Sequence, residues 1–130
     1  MFTGCKSQPN EEVYISDFYN IHEEYKDGWG NVGKYDISLP YIHCDSKSAK
    51  KLNKTIKNEY KDLIDSLDEA KEEGYTLPYT KVSYDVYTHS NLLSLVIKEE
   101  VETEYPRYKV YHFDSKTKKR VSNKKLYKKY

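Results

Sequence analysis

His43-Cys44-Asp45 sets a thiol between an imidazole and a carboxylate. A thiol at a helix N-terminus, beside an imidazole, has its pKa lowered and becomes a nucleophile. This triplet precedes a predicted helix, but on an extended segment neighbouring side chains point to opposite faces. The three groups therefore do not form a catalytic array, and Cys44 reads as structural. His22, His43, His89 and His112 fall on four separate elements, none at the i, i+4 spacing of a helical metal site, and there is no HExxH. Gly28-Trp29-Gly30 lacks the following helix and the Lys-Ser/Thr pair of a phosphate cradle, and neither GxSxG nor GxGxxG occurs. The sequence thus predicts no catalytic residue, no metal, no cofactor, and no enzyme.

Binding chemistry is better represented. The chain carries 15 Tyr, 3 Phe and 1 Trp, and Tyr joins a rigid flat face to a hydroxyl, which suits protein interfaces and sugar rings. Strand patterning sends half of each strand inward, so at most a minority of the tyrosines can face a ligand. The candidate binding surface is Asp85 and Tyr87 with Asp36, Ser38 and Ser83, joined by either Tyr108 or Tyr111, on the sheet face that a helix leaves free. Trp29, in the turn Asp27-Gly28-Trp29-Gly30-Asn31-Val32-Gly33, is the candidate for stacking on a sugar; the competing expectation is that it folds back on the core.

The elements that must hold these residues follow from periodicity. Residues 12–25 read as one strand with a bulge near Asp17. Lys34 to Leu39 alternates with Tyr35, Ile37 and Leu39 on one side, and Pro40 ends the strand or leaves it at an edge. Ala49, Leu52, Ile56, Tyr60, Leu63, Leu67 and Ala70 recur at steps of 3 or 4, predicting a helix over 46–73. Asp45 or Ser46 can cap it, Gly74 suits its left-handed stop, and Pro78 prevents its resumption. Lys81–Tyr87, with Val82, Tyr84 and Val86 on one face, Leu92 onward, and Tyr108–Phe113 read as three more strands, and Asn123–Tyr130 as a short final helix. The order β-β-α-β-β-β implies an α+β fold, a mostly antiparallel sheet of about five strands with the helix on one face.

The 130 residues suffice for one domain. Charged residues make up 33%, and the mean hydropathy is −0.97. The longest apolar run, Leu92 to Ile97, is strand-sized and far short of the ~20 residues of a membrane-spanning helix. Of 22 basic residues, eight lie in 116–130, where there is no acidic one; the rest of the chain sets 14 against 21 acidic, a net −7. The basic tail can attract an anionic surface, whereas the acidic body that carries the tyrosines suits a cationic partner better than nucleic acid. Residues 1–11 read as a leader or linker and 12–130 as a single domain. Phe2-Thr3-Gly4-Cys5 is similar to the end of a bacterial lipoprotein signal, which makes Cys5 a candidate lipid-attachment residue and a lipid there the one route to a membrane.

Several segments in order resemble a known family: Tyr35-Asp36-Ile37-Ser38-Leu39-Pro40-Tyr41-Ile42, Ala49 with Leu52-Asn53-Lys54-Thr55-Ile56, Val82 to Tyr87, Leu92 to Ile97, and Tyr111-His112-Phe113-Asp114-Ser115-Lys116-Thr117-Lys118-Lys119 with Val121-Ser122 and Leu126. Together they are similar to the extracytoplasmic N-terminal domain of PdaC-type peptidoglycan deacetylases, also found in RsiV-type anti-sigma factor ectodomains and in Gram-positive surface proteins. The match covers about residues 34–127. It departs from the family in reading Thr117-Lys118-Lys119 where a Thr-Gly-Lys turn is usual. Residues 116–130 read as the start of a truncated companion domain, and no deacetylase domain is present, so that activity does not transfer. The resemblance implies an extracytoplasmic, cell-surface or membrane-anchored setting. For the RsiV branch only, it implies binding of lysozyme. With the absence of a catalytic constellation, it leads to the expectation of a non-catalytic module that binds or senses protein or cell wall, with a cationic, lysozyme-like protein or cell-wall glycan as the partner. A stand-alone glycan hydrolase and a nucleic-acid binder using the basic tail are the alternatives.

Overall fold

The computed structural model describes residues 13–123, and leaves Cys5, the 1–11 leader and all but the first residue of the expected final helix outside them. Six strands form one sheet in chain order: β1 (Tyr14–Lys26), β2 (Val32–His43), β3 (Thr80–His89), β4 (Leu92–Val101), β5 (Arg107–Asp114) and β6 (Lys119–Val121). All neighbours are antiparallel except β2 and β3, which run parallel and are joined through α1 (Lys47–Glu73). The α+β architecture expected from the patterning is the one observed, with β6 as a sixth, short strand after the 114–118 turn.

Helix α1 forms where its apolar residues recur and stops where its caps stand. Ser46 is extended (φ −112°, ψ 154°), and its hydroxyl accepts the Ala49 amide at 3.0 Å, satisfying one of the orphan N–H groups of the first turn. Gly74 ends the helix at φ 85°, in the left-handed region, with its amide and that of Tyr75 both donating to the Ala70 carbonyl. Ala49, Leu52, Ile56, Tyr60, Leu67 and Ala70 are buried on the side that meets the sheet. There they close a core with Tyr35, Ile37, Leu39 and Ile42 of β2, Val82 of β3, Leu95 and Ile97 of β4, and Tyr111 and Phe113 of β5.

Strand β2 runs through Pro40 instead of ending there. It pairs with β3 only over Tyr35–Ile37, so by Pro40 one of its edges is already free and no ladder amide is required of the proline. On its other edge the register shifts between Asp17 and Tyr19, leaving Phe18 as the bulged residue opposite Pro40 and Leu39. Beyond Pro40 the free edge of β2 is met by the helix: the Asn53 side chain accepts the Ile42 amide at 2.8 Å and donates to the Ile42 carbonyl at 2.9 Å. One amide side chain takes the place of a neighbouring strand.

Burial along β3 falls from Thr80 and Val82 to full exposure over residues 85–89. Val86, expected on the covered face with Val82 and Tyr84, is exposed, while Tyr84 is half-buried and its hydroxyl donates to Asp17 Oδ1 at 2.5 Å. No helix among the described residues is long and apolar enough to cross a membrane.

Candidate functional site

The register places the sequence-predicted binding residues in different parts of the molecule. On the sheet face away from α1, Tyr87 pairs across with Ser94 and then His112, Asp85 with Val96 and then Val110, and Ser83 with Lys98 and then Tyr108. Tyr87 and Tyr108, 59% and 60% exposed, lie on this open face as expected. Tyr111 does not. It is three residues from Tyr108 on one strand, hence on the opposite face, and at 8% exposure it belongs to the core under α1. The open face is laced by its own pairs. His22 Nδ1 meets Asp36 Oδ1 at 3.0 Å, Ser38 donates to Asn20, Lys98 lies 3.7 Å from Glu100, and Ser94 Oγ is 2.7 Å from His112 Nδ1. Burial pushes the His112 imidazole below its ordinary value of 6.5.

Trp29 is elsewhere, and it does not fold back: it stands 84% exposed at the tip of the β1–β2 hairpin. Its position is held from beneath by Asp27, which is buried. The Asp27 carboxylate accepts the amides of Trp29 at 2.8 Å and Asn31 at 2.9 Å, the Asn31 side chain at 3.3 Å and the Thr76 hydroxyl at 3.3 Å. Desolvation opposes the charge, but these hydrogen bonds outweigh it and hold the carboxyl below its ordinary value.

Three loops share this end of the sheet, because Tyr35 of β2, Thr80 of β3 and Val101 of β4 stand side by side in register. They are 27–31, 74–79 and 102–106. Thr76 ties the second to the first through Asp27, the Leu77 amide donates to the Tyr35 hydroxyl at 2.9 Å, and Glu102 and Tyr79 exchange amide hydrogen bonds that tie the second to the third. Tyr35 reaches Leu77 by passing over Gly33, where an added Cβ would sit 2.3 Å from the tyrosine hydroxyl. Tyr105, 91% exposed, projects from the third loop, beside an open depression of about 370 Å³ lined by Glu102, Thr103 and Glu104. β2 and β4 are second neighbours, so Trp29 and Tyr105 leave strands roughly 10 Å apart. Exposed Glu72 and Glu73 end α1 here, and Glu102 and Glu104 are exposed as well. The result is a hydrogen-bonded loop end that presents Trp29, Tyr75 and Tyr105 among these carboxylates, with exposed Lys26, Lys34 and Arg107 on the adjoining strand ends. Sequence reasoning singled out Trp29 but not Tyr75, Tyr105 or Asp27, which the structure sets at the same end; the one signal for Asp27 was an Asp followed by Gly and Asn in a turn.

The opposite end has a different chemistry. His43 stacks on Tyr14 (4.3 Å between centroids) with its Nε2 2.6 Å from Ser16, while the Cys44 thiol donates toward the Ser46 hydroxyl at 3.7 Å. Neither group faces the other, as adjacent residues on an extended segment do not. They line an open depression of about 340 Å³ with Tyr41, Asp45 and Lys50. Lys47, Lys50 and Lys51 of α1 are exposed here, and the Arg120 amide donating to Ser48 at 2.7 Å brings the β5–β6 turn, with Lys116, Lys118 and Lys119, alongside.

A charged cluster at the core's edge is a fastening. Glu99, 8% exposed, accepts the Tyr60 hydroxyl at 2.5 Å and pairs with Lys109 and Arg107 at 3.3 Å each, and Lys109 also pairs with Glu59. Burial first, and the Glu99 carboxylate second, raise the Tyr60 pKa far above the ordinary phenol value. Each carboxylate has a cation and each cation a carboxylate, so the set pins α1 to β4 and β5. Among the described residues no three His, Cys, Asp or Glu are grouped to hold a metal ion. Compared with family models and with curated proteins, the chain matches none.

Proposed function

We propose that this domain is a non-catalytic binding module of the cell envelope, and that its loop end takes a cationic protein or peptide. The observation that carries the reading is the exposure of Trp29 and Tyr105 on loops tied together by Asp27, Thr76, Tyr79 and Glu102. Large aromatics exposed on hydrogen-bonded loops present surface that a monomer normally hides, and with two side-chain torsions each they pay little entropy on docking. The surrounding Glu72, Glu73, Glu102 and Glu104, at the negative end of the α1 dipole, select a positive partner. The extracytoplasmic setting rests on the resemblance to the PdaC-type and RsiV-type ectodomains, and lipidation of Cys5 would supply the tether.

The test is a titration of the domain with lysozyme, and separately with soluble peptidoglycan fragments, followed by amide shifts and by the fluorescence of the single Trp. Lysozyme is expected to move the signals of Trp29, Tyr75 and Tyr105, with affinity falling as salt rises, and Trp29→Ala is expected to weaken it by about tenfold or more. Shifts confined to Tyr87 and Asp85 would place the site on the open sheet face instead. Response to glycan alone would make Trp29 a sugar platform, and turnover of the glycan would replace a binding module with an enzyme.

A further inference from the structure

The solvent side of α1 carries a charge pattern that works against the helix bearing it. Its first half holds Lys47, Lys50, Lys51, Lys54 and Lys57, its second half Asp62, Asp65, Asp68, Glu69 and Glu72, with exposed Glu59 and Lys61 beside the midpoint as the exceptions. Cations at the N-terminal end and anions at the C-terminal end both oppose the macrodipole, and like charges three and four residues apart repel. Within the molecule little offsets this. Lys50 reaches Asp45 at 3.2 Å and Lys61 reaches Asp65 at 2.6 Å. Lys47, Lys51, Lys54, Asp62, Glu69 and Glu72 make no ion pair among the described residues.

The pattern is self-complementary under reversal. Turning the helix end for end about a point between Glu59 and Tyr60 carries Lys47 onto Glu72, Lys50 onto Glu69, Lys51 onto Asp68, Lys54 onto Asp65 and Lys57 onto Asp62. Every one of these lysines falls on a carboxylate. The outermost ridge, Lys47, Lys51, Lys54, Asn58, Lys61, Asp65, Asp68 and Glu72, advances by alternating steps of 4 and 3 and is exposed throughout. That is the spacing at which two helices keep one line of contact along their whole length, here roughly 40 Å.

We infer that a second copy of this chain docks on α1, the two helices antiparallel about a two-fold axis near Glu59. An isologous interface needs a surface complementary to itself, and this stripe is complementary in charge and opposes the two macrodipoles as well. The contact is polar and lies at the small end of specific interfaces, so the dimer is weak and sensitive to salt. It takes Glu72 of the loop end into the contact, while Trp29, Tyr105, Glu102 and Glu104 lie off the α1 ridge, and it does not rest on the proposed function.

Sedimentation equilibrium of the full chain at about 20 mM and about 0.5 M salt tests it, because screening over a few ångströms at the higher salt removes such pairs. The dissociation constant is expected to rise by about tenfold or more between the two. Lys51→Glu alone and Asp68→Lys alone should each leave a monomer at low salt, and the double variant, which restores opposite charges across the two-fold, should recover the dimer. Circular dichroism of each variant shows whether it is folded. A wild-type monomer under both conditions overturns the inference. So does a dimer that the single reversals leave intact or that the double variant fails to restore, and so does binding of an anionic polymer to Lys47, Lys51 and Lys54 by a chain that stays monomeric.

Discussion

At one end of the sheet three loops hold Trp29, Tyr75 and Tyr105 among Glu72, Glu73, Glu102 and Glu104; at the other, Lys47, Lys50 and Lys51 meet Lys116, Lys118 and Lys119 across the Ser48–Arg120 hydrogen bond. Both ends hang on the same core and both are fixed by a side chain that takes over backbone hydrogen bonds. At the loop end this is Asp27, buried and charged, accepting two loop amides. At the basic end it is Asn53, neutral, bonding the amide and carbonyl of Ile42. The difference decides what each end can do. An anion buried under a loop orders the aromatics above it without opening a cavity, whereas the amide at Ile42 closes a strand edge. A hydrogen-bonded loop and a closed strand edge are thus built by the same device with different charge.

The core beneath both ends is the first place to break that comparison. Ile56, at 1% exposure, lies in the core beneath α1, and Ile56→Ala is expected to cost about 2–5 kcal/mol in urea unfolding. Helix signal and loop-end amide signals should be lost in one transition. Separate transitions would mean that the ends are held independently.

The two fasteners come next. Asn53→Ala leaves the Ile42 amide and carbonyl without their partner, at a cost of about 1–3 kcal/mol. Gly33→Ala drives a methyl into the Tyr35 hydroxyl that accepts Leu77, at about 1–3 kcal/mol. Hydrogen exchange should separate them, with Asn53→Ala loosening amides near Ile42 and Gly33→Ala loosening those of 74–79.

Acid distinguishes the open face from the loop end by its order of effect. His112 has a lowered pKa in the folded chain, so the unfolded chain binds the proton more readily, and stability falls as pH drops below the ordinary 6.5 toward the folded value. Asp27 and Asp36 are also lowered from 3.8, so the stability they contribute is complete above that value and is lost as pH falls through the folded ones. In a pH series of amide shifts, the surroundings of His112 should change first and the Trp29 amide only in strong acid. A Trp29 amide that shifts near neutrality would remove Asp27 as its anchor.

The smallest effect belongs to the basic end and has the opposite sign. Lys118 holds φ 60°, a left-handed conformation that favours glycine, at the middle position of Thr117-Lys118-Lys119. Lys118→Gly should raise the unfolding free energy by up to about 1 kcal/mol, and a loss would show that the lysine side chain holds the turn.

What the sequence by itself determined is whatever depends on near neighbours. Helix α1 was legible because its apolar residues, Ser46 and Gly74 state a period and two caps within one segment, and the strands because alternation and turn residues are local. The bulge near Asp17 showed as a slip in that alternation. Tyr108 and Tyr111 could be assigned to opposite faces, but which of them faces α1 was decided when the register of β5 against β4 set Tyr111 under the helix. Pro40 read as a stop or an edge position because a central strand cannot spare an amide, and the short pairing of β2 with β3 made it the edge, which Asn53 then takes at Ile42. The candidate site was the least legible part. Trp29 and Tyr105 are far apart in the chain and share no motif, and they reach the same end because the parallel β2–β3 pair and the β3–β4 hairpin align Tyr35, Thr80 and Val101. Proximity of that kind is a property of strand order, which no local pattern encodes, whereas the charge reversal along α1 was written in a single helix and needed the structure only to show that its lysines and carboxylates face the solvent.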